Sequence, residues 1–114
     1  MQRLSHENLH VYQSAIRFVA YCVDLLSRFP KGYADLVDQF RRAATSIPLN
    51  IAEGAGKIGR ADSVRFFAIA RGSALECGAI LDVAMVMGLL EPGPVAPAKA
   101  LLARVVAMLT KMTR

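Results

Sequence analysis

The chain has 114 residues, of which 54% are hydrophobic, and a formal net charge of +5. This length fits one domain, residues 1–114, with a single core. No uncharged apolar run approaches the ~18–20 residues that a membrane span needs, and the N-terminus lacks the apolar segment of a signal peptide. We therefore expect a cytoplasmic protein without a membrane role.

Helix 1 is predicted over residues 8–29, where apolar residues recur at helical spacing rather than alternating as in a strand. Its expected core-facing stripe, widened by Ala15 and Cys22, comprises Tyr12, Ile16, Val19, Val23 and Leu26. The sequence Pro30-Lys31-Gly32 then forms a turn, because proline and glycine rarely continue a helix.

Helix 2 is predicted over residues 34–55, with an apolar stripe of Leu36, Phe40, Ala43, Ile47 and Ile51. Pro48 lies within this stripe and cannot donate a hydrogen bond to the carbonyl of Ala44, so we expect a kink. A proline in a helix interior costs about 3 kcal/mol, which packing against neighbouring helices must offset.

Polar residues follow this proline. We expect Asn50 to bond carbonyls that Pro48 leaves free, and Glu53 to pair with Lys57 one turn later. The alternative is a polar functional site at the bend. Gly54, Gly56 and Gly59 together are expected to end the helix and form a short turn.

Residues 41–54, RRAATSIPLNIAEG, resemble the signature of a bacterial family of four-helix-bundle proteins, the 23S rRNA intervening-sequence proteins. The family's string is matched by Arg42-Ala43, Ser46-Ile47-Pro48 and Asn50-Ile51-Ala52-Glu53-Gly54. Residues 9–13, and residues 66–73 with Glu76, also resemble family segments. The resemblance implies an antiparallel up-down four-helix bundle, a ring-like homopentamer, a basic surface and no established enzyme activity. Related accessory proteins of diversity-generating retroelements bind nucleic acid and a reverse transcriptase, but they lack the central string.

Helix 3 is predicted over residues 62–87, with Asp62 as its N-cap and Gly88 just past its end. One apolar stripe comprises Phe67, Ala70, Ala74, Cys77, Leu81 and Met85, and a second comprises Phe66, Ile69, Ser73, Ile80, Val83 and Met87. A helix that is apolar on two sides is buried on two sides, so we expect helix 3 to make subunit contacts.

Helix 4 is predicted over residues 95–111, after a connection formed by residues 89–94. Its apolar face comprises Leu101, Leu102, Val105, Met108, Leu109 and Met112. The complete pattern is therefore all-α, with four helices and no strand.

No catalytic, cofactor or metal site is expected. His6 and His10 lie one turn apart but lack a third ligand, whereas the usual closed zinc site needs four. Serine nucleophiles need a histidine–acid partner, and none is credible here. Cys22 and Cys77 are expected to be free thiols in the core, with a disulfide between their helices left open.

The basic residues are the remaining functional feature, because residues 41–71 hold six bases and two acids. Ion pairs at helical spacing are expected between Asp24 and Arg28, Asp38 and Arg42, Glu53 and Lys57, and Asp62 and Arg65. Lys31, Arg60, Arg71 and Arg104 lack such a partner and are therefore free to meet an external anion. The predicted nucleic-acid-binding residues are Arg41, Arg42, Lys57, Arg60 and Arg71.

The expected function is that of a non-enzymatic, homo-oligomeric accessory protein that binds a nucleic-acid backbone, with RNA favoured over DNA. Assembly into a pentamer would multiply the charge of one chain fivefold, and binding would then fall steeply with salt. The alternative is a protein-interaction scaffold that docks a protein partner and has no nucleic-acid role. In either case we expect Ser46, Pro48, Asn50, Glu53 and Gly54 to form the structural motif.

Overall fold

The computed structural model describes residues 4–114. Four helices account for most of this range, and it contains no strand: α1 (His10–Arg28), α2 (Ala34–Ala55), α3 (Arg60–Val86) and α4 (Pro92–Met112). Connections of four or five residues join successive helices, so neighbouring helices run antiparallel. Both α1 and α3 pack against α2 and α4, whereas no α carbon of α1 lies within 8 Å of one in α3. The predicted all-α four-helix fold is confirmed.

The buried side of α1 differs from the predicted stripe. Its core residues are Val11, Ala15, Phe18, Cys22 and Leu25. Ile16 and Val23 were predicted to face the core but are 44% and 67% exposed. Apolar residues occupy most of the circumference of this helix, and the row with the large Phe18 and the small Ala15 packs inside. Sequence spacing alone does not show which of two adjacent apolar rows on a helix faces the core.

Helix α2 has the predicted bounds, and Pro48 is buried within it. The predicted kink at Pro48 stays a prediction. The helix ends at Ala55 as predicted, with Gly54 inside its last turn and Gly56 at the C-cap. A Cβ atom at Gly54 would lie only 2.6 Å from Cε1 of Phe67 on α3. The glycine is therefore needed for the close approach of two helices.

The start of α3 corrects another prediction, because Gly59 rather than Asp62 occupies the N-cap position. Asp62 lies in the first turn, where its carboxylate interacts favourably with the positive end of the helix dipole. Helix α3 ends just before Gly88, whose φ of +74° is favourable for glycine. The N–H of Leu89 then donates to the carbonyl of Ala84 at 2.8 Å, which satisfies the end of the helix.

Helix α4 begins three residues earlier than predicted, at Pro92. Proline suits the first helical position, because no intrahelical acceptor exists there for an N–H group. The Pro-Gly-Pro sequence was assigned to the connection but forms the first turn of α4. By length and composition alone, α4 could cross a membrane. In the bundle its predicted apolar face contributes Leu101, Leu102, Val105 and Leu109 to the core.

The two cysteines are free thiols, each buried in the core. A disulfide requires α carbons within about 7 Å, whereas every α1–α3 pair is more than 8 Å apart. The disulfide that the sequence left open is therefore excluded in this fold. Burial raises the pKa of the Cys77 thiol to about 12, with a smaller contribution from the charge of Glu76. Burial also raises the pKa of Cys22, and the nearby Cys77 thiol adds to the effect.

Candidate nucleic-acid interface

The signature residues of α2 form a polar junction with α3. The hydroxyl oxygens of Ser46 and Ser73 lie 2.8 Å apart and share a hydrogen bond. The Asn50 side chain donates to the Ser46 hydroxyl at 2.9 Å and to the Ser46 carbonyl at 2.8 Å. We expected Asn50 to bond the Ala44 carbonyl that Pro48 leaves free, and this detail is wrong. The amide instead holds Ser46 in position against α3.

The other signature residues serve the same junction or the surface beside it. Gly54 allows the Phe67 ring to approach α2. Glu53 pairs with Lys57 at 3.6 Å, as predicted, and both side chains are more than one third exposed. Exposed ion pairs of this kind contribute at most about 1 kcal/mol. The motif is therefore chiefly a device that fixes α2 against α3.

Arg41 and Arg42 are both exposed on α2, but their pairing differs from the prediction. Asp38 pairs with Arg41 at 3.0 Å rather than with Arg42. Among residues 4–114, Arg42 has no ion-pair partner. The two arginines lie fifteen or more residues before Lys57 in the sequence, which corresponds to about 22 Å along a helix. They are therefore separate from the other predicted basic residues.

Lys57 lies in the turn between α2 and α3, and Arg60 is the first residue of α3. A guanidinium nitrogen of Arg60 donates to the backbone oxygen of Arg114. This contact joins the turn to the last residue after α4. The α2–α3 turn and the C-terminal end of α4 therefore form one surface.

This surface contains bases that the sequence analysis did not select. We call it the basic end, and its five cations are Lys57, Arg60, Arg65, Lys111 and Arg114. Arg65 pairs with Asp62 at 3.8 Å, and both are about 60% exposed. The predicted antiparallel order could have placed the end of α4 beside the start of α3.

Phe66 provides an aromatic group beside these cations. The Arg65 guanidinium carbon lies 4.5 Å from the centre of the Phe66 ring, and Lys57 Nζ lies 5.1 Å from it. Both distances fall within the ~6 Å range of cation–π contacts. Phe66 is half-buried whereas Phe67 is in the core. Of the two apolar stripes predicted for helix 3, the one with Phe67 reaches the core at this position, whereas Phe66 of the second stripe stays partly exposed.

Arg71 lies farther along α3 and faces α4. Its Nε donates to the Thr110 hydroxyl at 2.8 Å, and that hydroxyl donates to the Val106 carbonyl at 2.7 Å. This hydrogen bond uses only the Nε–H group, so the N–H groups on the two terminal nitrogens of Arg71 remain available to donate to a ligand. Arg71 is thereby held against Thr110 near the end of α4.

The opposite end of the bundle has a different charge balance. Its segments, residues 24–35 and 82–99, hold three bases and four acids. The segments at the basic end, residues 4–10, 53–65 and 111–114, hold five bases and three acids. A strong contact at the opposite end joins Lys99 to Asp82. Positive charge is thus distributed unevenly along the molecule's long axis of 44 Å.

Within residues 4–114, no three histidine, cysteine or acidic side chains form a group that could hold a metal ion. Ser46 and Ser73 hydrogen-bond each other and Asn50 rather than a histidine.

The fold and these contacts define a small helical-bundle protein with a cationic end. The sequence model of the 23S rRNA-intervening sequence protein family matches residues 7–111, and the chain belongs to this family. Its fold is similar to the 1.70 Å crystal structure of a protein of unknown function from the S23 ribosomal protein family of Bacteroides thetaiotaomicron. The TM-score is 0.84 at 20% identity, with 91% of this chain and 98% of that chain covered. No curated protein sequence matches significantly. The family resemblance of residues 41–54 is confirmed.

Proposed function

We propose that this protein is a non-enzymatic, cytoplasmic RNA-binding accessory factor that acts as a homo-oligomer. The observation that carries the proposal is the basic end, where Arg60 contacts Arg114 and where Lys57 and Arg65 flank the Phe66 ring. Lys111 lies at the same end of the bundle, in the last turn of α4. The family name refers to intervening sequences of 23S rRNA, which favours RNA over DNA as the ligand. No cofactor enters the proposed function.

The proposed contact is with the phosphate backbone rather than with base edges. The cations are exposed, and the ion pairs of Lys57 and Arg65 are long, at 3.6 and 3.8 Å. A phosphate can therefore replace either acid at little cost. Arg71 supplies a guanidinium already oriented by Thr110. Arg42 would join only on an RNA long enough to extend about 22 Å from Lys57 along α2.

Assembly is part of the proposal, because the charge of one chain is modest. Helix α3 carries large apolar side chains at its surface, including Ile69, Leu75, Val83 and Val86. This supports the expectation that α3 makes subunit contacts. Five copies, the number implied by the family resemblance, would present five basic ends and raise the local potential that attracts RNA.

The test is a fluorescence-anisotropy titration of a labelled single-stranded RNA at 50 and 200 mM salt. If four cations meet phosphates, the slope of log affinity against log salt is about −2.8, so affinity falls about 50-fold. Arg60→Glu should weaken binding and reduce this slope by about 0.7. Lys31→Glu makes the same charge change at the opposite end and should have a smaller effect. Absence of binding at 50 mM salt, or binding indifferent to salt, would refute the proposal.

A protein-interaction scaffold is the second candidate, favoured by Ile58. This side chain is fully exposed in the α2–α3 turn, between Lys57 and Gly59. A protein partner that covered this side chain would remove its apolar surface from water, which favours binding. A partner recovered by pull-down after nuclease treatment, and retained by Arg60→Glu/Arg71→Glu, would favour this candidate. Loss of the partner on nuclease treatment would favour RNA.

A further inference from the structure

The outward face of α3 is apolar along most of its length. Ala68, Gly72, Leu75, Ala79, Val83 and Val86 lie on this face, and all are exposed. Val86 is 89% exposed, and Leu75 and Val83 are nearly half exposed. An apolar face of this extent on a soluble bundle marks a site of interaction. We call it the α3 face.

A second apolar surface lies on α1. Ile16, Ala20 and Val23 follow one another at helical spacing, and all three are exposed. Arg17, Ala20, Tyr21 and Asp24 line a shallow hollow at the same position. A projecting side chain the size of leucine or valine fits a hollow of this kind, as in the packing of knobs into holes. We call this surface the α1 face.

The two faces point in opposite directions. Helices α1 and α3 are diagonal in the bundle, because each contacts α2 and α4 and neither contacts the other. The residues of each face lie on the side of the helix away from the core. One copy therefore cannot bring its own two faces together. A contact between unlike faces of two copies is head-to-tail, and repetition closes a ring or extends a filament.

The charges beside the two faces are complementary. Among residues 4–114, Arg17 and Glu76 have no ion-pair partner, whereas Asp24 and Asp82 are paired within the chain. The Glu76 carboxylate accepts a hydrogen bond from the Gln39 amide of α2 at 3.2 Å, which leaves its charge uncompensated. Arg17 lies beside the α1 face, one turn from Ala20, and Glu76 lies beside the α3 face, one turn from both Gly72 and Ala79. Placing Ala20 against either small residue brings Arg17 alongside Glu76.

We propose that the α1 face of one copy docks on the α3 face of the next, with Arg17 paired to Glu76 across the contact. This assignment rests on the oligomer in the proposed function and specifies how it is built. The small side chains allow the helices to approach closely, and Leu75 or Val83 enters the hollow around Ala20. The pair of charges fixes the register and excludes contact between two α1 faces.

Three matched substitutions test the assignment by multi-angle light scattering. Ala20→Arg blocks the α1 face, Ala79→Arg blocks the α3 face, and Ala107→Arg places the same group on the exposed side of α4. Alanine and arginine both favour helix, so each variant should fold. We expect the first two to have the mass of one chain, 12.3 kDa, and the third to assemble like the unaltered protein.

Mixing the two blocked variants distinguishes unlike from like faces. Each variant retains one intact face, so an equimolar mixture should form a heterodimer of two chains and grow no further. If α3 packed on α3 instead, Ala20→Arg would remain assembled and the mixture would form no heterodimer. That result would overturn the assignment but leave the oligomer intact. A monomeric unaltered protein would instead refute the oligomer of the proposed function.

Charge reversal gives an independent measurement. Arg17→Glu or Glu76→Arg alone places like charges together and should raise the concentration for half-assembly on the order of tenfold. The double variant restores opposite charges and should recover most of that loss. If the loss of assembly in the double variant equals the sum of the losses in the two single variants, these side chains do not meet.

Discussion

Replacement of Gly54 by alanine is the sharpest test of the packing between α2 and α3. The added Cβ would lie 2.6 Å from Cε1 and 2.8 Å from Cδ1 of Phe67, and 3.1 Å from the backbone oxygen of Ser63. Ordinary carbon contacts are ~3.5–4.0 Å, so the ring must move by about 1 Å or the helices must separate. Overpacking of this kind costs about 1–3 kcal/mol.

Alanine is also about 1 kcal/mol more favourable than glycine inside a helix, and this gain partly offsets the cost of the clash. Gly78→Ala is the matched control, because a Cβ at Gly78 in α3 meets nothing within 4 Å. The control should therefore be stabilised, whereas Gly54→Ala should lose about 1 kcal/mol overall. The two variants should differ by the overpacking cost alone, about 1–3 kcal/mol, or roughly 4–12 °C in Tm.

Thermal and urea unfolding followed by circular dichroism at 222 nm will measure this difference. All samples should have the same protein concentration, since assembly stabilises the folded chain. In a Phe67→Leu background the smaller side chain should remove most of the cost of Gly54→Ala. If Gly54→Ala is as stable as Gly78→Ala, the close approach of the two helices is refuted.

Two further predictions concern the core and the polar junction. The raised pKa values of Cys22 and Cys77 keep both thiols protonated in the fold, whereas in the unfolded chain they ionise near about pH 8.5. Their contribution to the free energy of unfolding, measured with urea, should therefore be constant below about pH 8.5 and then fall by about 1.4 kcal/mol per pH unit for each thiol. Ser46→Ala should cost about 1–2 kcal/mol because it breaks hydrogen bonds to Ser73 and Asn50; Ser46→Ala/Ser73→Ala should cost less than the sum of the single changes, measured by a double-mutant cycle.

Both predictions have internal controls. For the thiols, Cys22→Ala/Cys77→Ala should remove the decline between pH 8.5 and 9.5, and an unchanged slope would assign the decline to other groups. The native thiols should also resist iodoacetamide at pH 8. For the serines, strictly additive losses would show that the two hydroxyls do not depend on each other.

The helices were predictable because each combines a long apolar pattern with a strong stop signal. The bounds of α2 agree with the prediction, since Ala34 follows a Pro-Lys-Gly turn and glycines follow Ala55. The predicted start of α4 was three residues late because proline is common both in loops and at the first position of a helix. The choice between these depends on whether Val95 and its neighbours reach the core, which is a tertiary property.

The site was less predictable than the fold. Spacing identified three of the four expected ion pairs, but Asp38 had arginines at both three and four residues, and the structure pairs it with the nearer one. Lys57 and Arg60 were found because they are close in sequence, whereas Lys111 and Arg114 join them only through the packing of α4 on α3. Charge counts along the chain do not contain that information.

The uneven charge along the 44 Å axis has a consequence for how the molecule would meet a polyanion. If the proposed RNA binding holds, attraction at one tip combined with weak repulsion at the other would orient the bundle perpendicular to the strand, so that each chain would stand on the polymer rather than lie along it. The far tip, formed by residues 29–33 and 87–91, then projects into solution. A second macromolecule could be recruited there without competing for the strand.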